Sequence, residues 1–95
     1  MYELWIHDIE GGADRTYLYA YRVIQPLLAQ QQISVEKPIR DFRGMFLPIT
    51  TESWTDADLS LRVAKALQRT NIRTYHWKLR KMLSVPECCH CIDLV

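Results

Sequence analysis

Apolar and polar positions sort the chain into short runs of two different periods. Tyr2-Glu3-Leu4-Trp5-Ile6-His7-Asp8-Ile9 is rich in β-branched and aromatic residues and closes on Glu10-Gly11-Gly12, which predicts a strand ending in a glycine turn. From Ala13 to Gln31 the spacing changes. Tyr17, Ala20, Tyr21, Ile24 and Leu28 recur at helical intervals behind Asp14, a residue suited to an N-cap. Pro26 falls inside this helix. Its ring opposes the carbonyl of Arg22 and it donates no hydrogen bond, so a kink is expected, or a break with a short second turn.

Ile33-Ser34-Val35-Glu36-Lys37 alternates, with Ile39 keeping the same parity, as a half-buried strand does. Pro38 places the end of that strand at a sheet edge or a bulge. Residues 40–44 read as a turn, and Met45-Phe46-Leu47-Pro48-Ile49 returns as the other arm of a hairpin. Thr55, followed by Asp56 and Asp58, opens a second helix, with acids at the positive end of its dipole. Leu59, Val63, Ala66 and Leu67 form its buried stripe. Arg62, Lys65 and Arg69 lie off that stripe, and Thr70-Asn71 ends the helix. Ile72 to Leu79 reads as a strand with Tyr75, Trp77 and Leu79 on one face and His76, Lys78 and Arg80 on the other. The segment from Ser84 shows no usable period.

The order strand, helix, strand, strand, helix, strand predicts an α+β domain. The simplest packing is a ferredoxin-like βαββαβ arrangement, a four-stranded antiparallel sheet with two helices on one face. Right-handed crossovers put the first and third strands in the centre and leave the second and fourth as edges, open to pairing with a second copy. Residues 1–83 form this single domain, and 84–95 are a C-terminal tail. A chain of 95 residues buries one modest core, and a domain of that size gains from dimerising.

Composition changes the picture in two places. Net charge is only +1, but Leu59 to Pro86 contains no Asp or Glu while holding Arg62, Lys65, Arg69, Arg73, Lys78, Arg80 and Lys81. Cys88, Cys89 and Cys91 are an odd number of thiols packed within four residues. They do not read as a disulfide framework, so a reducing, cytoplasmic setting is expected. No apolar run approaches the roughly 20 residues of a membrane span. With a strand beginning at residue 2, no cleaved leader is expected.

Several of these residues carry a family resemblance. Met1-Tyr2, the alternating strand, His7-Asp8-Ile9 and the downstream Asp14-Arg15 resemble the smaller core protein of CRISPR spacer acquisition, whose first strand ends in Tyr-Asp-Ile or similar before a basic helix. Residues 33–39 are similar to the family's second strand, and 58–69 with Tyr75-His76-Trp77 to its last helix and fourth strand. The resemblance spans most of residues 1–80. The chain departs from the pattern with His7 in place of Tyr, no Ser-Val-Phe triplet in the second strand, and a single Arg after Asp14. The resemblance implies a non-catalytic homodimer lying along duplex DNA and bridging an integrase partner in antiviral defence. It would contact phosphates without reading bases, through Arg15, Arg22, Arg69, Arg73, Lys78 and Arg80.

Other chemistries compete. Asp8 is the candidate metal residue: two copies in a dimer could share a Mg²⁺, which takes oxygen ligands. The plainer role for Asp8 is to cap the Gly11-Gly12 turn. His7 is a candidate general base or a hydrogen-bonded strand residue. A metal-dependent endoribonuclease using Asp8, as in a toxin family of similar fold, is one rival function. A small phage or plasmid module that inhibits a protein partner through Trp54, Phe46 or an exposed edge is another. Cys88, Cys89, His90 and Cys91 are soft ligands, with His76 as the other candidate, but adjacent ligands wrap one tetrahedral ion poorly and a reduced tail is the simpler reading. Trp5 and Phe46 are candidates for stacking bases on an open sheet face, while Tyr17, Tyr21 and Trp77 fit core packing.

Overall fold

Strand β1 (Tyr2–His7) lies at the centre of an antiparallel sheet, between β4 (Gly44–Thr50) and β5 (His76–Val85). The computed structural model describes residues 1–7, 13–70, 76–85 and 88–93. Helix α1 (Ala13–Ala29) and helix α2 (Asp56–Gln68) supply the second layer. Two short segments, β2 (Ser34–Val35) and β3 (Ile39–Asp41), both pair with β4, and β6 (Cys88–Asp93) pairs with β5. The order across the sheet is β2-β4-β1-β5-β6.

The first and third strand runs of the sequence thus occupy the interior, where right-handed crossovers put them, but the fourth run, β5, expected as an edge, is interior too. The count of four does not hold, because the sheet has a fifth position. Val85 sits opposite Cys88 and Arg80 opposite Asp93, so the segment read as a tail is an edge strand. Its main-chain groups pair with β5, and pairing of that kind needs no hydrophobic alternation to direct it.

Side-chain parity builds the core. Leu4 stands opposite both Leu47 and Leu79, and Tyr2 opposite Ile49; these face the helices. Tyr17, Ala20, Ile24 and Leu28 of α1, with Leu59, Val63, Ala66 and Leu67 of α2, close over them. Strand β1 pairs with β4 from Tyr2 to Leu4, and the Tyr17 hydroxyl serves the backbone beyond it. It accepts from Ile6 N–H at 2.7 Å and donates to the Ile6 carbonyl at 3.2 Å.

Thr55 caps α2 as expected, its hydroxyl accepting from Asp58 N–H. Helix α1 continues unbroken through Pro26 to Ala29. It closes with Ile33 N–H on the Leu28 carbonyl and Gln32 at φ +64°, a left-handed stop that no glycine announces.

The β2/β3 edge departs from its predicted parity. Val35 is opposite Ile49, but Ile39 is opposite Phe46, so one extra residue lies between the two pairings. Pro38 sits in this bulge. The insertion turns Ile39 to the opposite face from Val35, and Ile39 is exposed.

Candidate nucleic-acid interface

Spacing along α2 places Arg62, Lys65 and Arg69 three and seven residues apart, on one side of the helix. Together with Leu27 of α1 and Gln31 in the turn after it they line a cleft of about 70 Å³ between the helices. No carboxylate lines it, and none of the three cations makes an ion pair among the described residues. Arg62 is held in place. Its guanidinium lies 3.6 Å from the Trp54 ring centroid and donates to the Gln31 side-chain oxygen. The indole N–H donates to the Gln31 carbonyl at 2.6 Å, so stack and hydrogen bonds fix one another. The buried Arg62 Nε has no hydrogen-bond partner among the described residues. A cation preset on an aromatic face, beside two exposed ones, is suited to receive anionic oxygens.

The predicted contact residues divide between two surfaces. Arg15 and Arg22 are exposed on α1, and Arg69 closes α2, all in the helix layer. Lys78 and Arg80 lie on the far side of the sheet, opposite Trp5 and Glu3 in register. Strand alternation causes this, since Leu79 points to the helices and its neighbours cannot. Lys78 is exposed, whereas Arg80 is partly buried with its guanidinium 5.6 Å from the Trp5 ring. Arg73 and Asp8 lie outside the described residues, and so does any Mg²⁺ site built on Asp8. Arg62 and Lys65 were missed as contacts, although their regular spacing with Arg69 in an acid-free stretch was visible.

The far face of the sheet is not a base-stacking platform. Trp5 and Phe46 are neighbours there, ring centroids 5.1 Å apart, but only 6% and 3% exposed. Arg43 covers them, its guanidinium 5.8 and 5.3 Å from the two rings. The cover is anchored on Glu3, a carboxylate just 1% exposed. Arg43 donates to both Glu3 oxygens, at 3.1 and 2.8 Å, and Trp5 Nε1 donates to the same group at 3.2 Å. Asp41 accepts from the Arg43 Nη2 at 2.7 Å and from its backbone N–H at 2.8 Å. The guanidinium holds the Asp41 carboxyl below its ordinary range, and the hydrogen bonds to Asp41 and then Glu3 push the Arg43 pKa up. Phe46 and Trp54 are therefore occupied within the fold. Phe42, at the hairpin tip between β3 and β4, is the most exposed large apolar side chain among the described residues, at 97%.

A third polar group ties sheet to helix. Tyr2 donates to Asp56 at 2.7 Å and Lys81 donates to the other oxygen at 3.1 Å. Burial, then the hydrogen bond to Asp56, pushes the Tyr2 hydroxyl up to about 12. No described helix is long and apolar enough to cross a membrane. No protein-family model, curated protein or solved structure matches the chain.

Proposed function

We propose that this chain is a non-catalytic nucleic-acid-binding module, a ferredoxin-like domain extended by one strand, that grips phosphate backbone through its helix layer. One observation carries the reading: Arg62, Lys65 and Arg69 converge on an acid-free cleft with Arg62 preset on Trp54. Phosphate contacts of this kind position a protein on its ligand without reading sequence. In the adaptor form of the reading, two copies lie along duplex DNA in the cytoplasm beside an integrase partner. The α2 stripe and the α1 cations Arg15 and Arg22 then share the backbone.

Gel shift with duplex DNA across a salt series tests it. The logarithm of the affinity should fall linearly with that of salt, with a slope of about −0.9 per phosphate neutralised. Lys65→Gln with Arg69→Gln should flatten that slope by roughly 2 and weaken binding at low salt. Binding that ignores salt, or a slope the double variant leaves alone, would sink the proposal.

A second reading, a module that docks on a protein, is favoured by the exposure of Phe42 on a hairpin whose turn is clamped by Asp41 and Arg43.

A further inference from the structure

The register between β1 and β5 sets His7 directly opposite His76. Residues facing one another across an antiparallel pair share a face, with Cβ atoms about 4.5–5.5 Å apart. That face is the one turned away from the helices, since the intervening pair Ile6 and Trp77 faces them. The two imidazoles differ in setting. His76 is exposed. His7 is partly buried, and its Nε2 is shielded from solvent with no hydrogen-bond partner among the described residues. A buried ring nitrogen left unpaired is costly, so a position that keeps one calls for an account of what completes it.

We infer that His7 and His76 form a two-imidazole chelate for a single divalent transition-metal ion of the zinc type, on the sheet face opposite the basic cleft. Zinc–imidazole bonds are about 2.0–2.1 Å, which puts two nitrogens on one tetrahedral ion roughly 3.4 Å apart. Side chains rooted at directly opposed strand positions reach that separation by ring rotation. Imidazole suits zinc, copper and nickel, whereas Mg²⁺ takes oxygen ligands and keeps its waters. Among the described residues no three ligating side chains cluster, so within them the two imidazoles are the protein ligands and water completes the shell. The chelate ties together two strands of the sheet interior, and an ion that binds only the folded chain raises its unfolding temperature. Lys78 shares the face two residues from His76 and is exposed, so its charge opposes the ion.

Zinc titration followed by calorimetry and by thermal unfolding tests this, with the full chain and with Cys88, Cys89 and Cys91 all changed to Ser. The cysteine-free chain is expected to bind one zinc per chain, to gain thermal stability from it, and to ignore Mg²⁺ as a competitor. Even the hydrogen-bond partners behind metal ligands are worth about 10–100-fold in affinity. His76→Gln, at an exposed site, should therefore weaken binding by at least about tenfold, and His7→Gln by as much. Lys78→Gln should tighten it. Zinc affinity lost with the cysteines, or left intact by His76→Gln, would overturn the inference. So would a loss in His76→Gln that His7→Gln does not share.

Discussion

At the scale of single residues, the most consequential placement is Glu3, a carboxylate buried on the sheet face that the helices leave uncovered. A buried charge is tolerable only when its partners are complete. Arg43 supplies a two-pronged contact and Trp5 a third donor. Arg43→Met should leave Glu3 desolvated and unpaired, costing about 3 kcal/mol in a urea unfolding series. Restoring neutrality with Glu3→Gln in the same chain should recover most of that loss, because an uncompensated charge is worse than none. A single variant as stable as the parent would show that Arg43 merely lies over the rings. Glu3 was not legible from sequence. In an alternating strand a polar residue between Tyr2 and Leu4 reads as a solvent position, and only the Asp41–Arg43 turn, forty residues away, makes burial possible.

Among elements, legibility followed how local the governing force is. The start of α2 was written in Thr55, Asp56 and Asp58, whose capping and dipole interactions act within one turn. The stripe of Leu59, Val63, Ala66 and Leu67 lies where its period says. What escaped was set by pairing rather than pattern. The fifth strand comes from main-chain bonds to β5, and the bulge at Pro38 flips Ile39 onto the other face. The hairpin beyond that bulge also explains Gly44. At φ +129° it avoids the strain a side chain would bring, and an added Cβ would stand 3.1 Å from Cζ3 of Trp5. The turn is thus fixed against the sheet while Phe42 projects from it. Under the protein-docking reading, Phe42→Ser should abolish capture of the partner yet shift stability by less than about 0.5 kcal/mol, since the ring touches little in the fold. Capture unaffected by that change would remove the hairpin tip as an anchor.

For the molecule as a whole, a two-layer fold presents cations in two directions, and a rigid duplex can lie against only one layer at a time. The acid-free stretch from Leu59 to Pro86 looked like one surface, because a linear count of charges carries no information about parity. Folding sends Arg62, Lys65 and Arg69 to the helix layer, Lys78 and Arg80 to the far face of the sheet, and Lys81 back toward Asp56. The nucleic-acid proposal therefore makes a directional demand. Neutralising Arg15 and Arg22 together, both exposed in the same layer as the cleft, should reduce the salt slope by up to about 1.8 when both meet phosphates. Neutralising Lys78 should leave the slope within error, since its only route to the ligand is long-range attraction that salt screens over about 8–10 Å. Slopes measured side by side for the two variants decide the matter. If Lys78→Gln flattens the dependence while the helix-layer change does not, the duplex lies on the sheet, the cleft between α1 and α2 is bystander chemistry, and the histidine pair sits beside the bound strand instead of behind it.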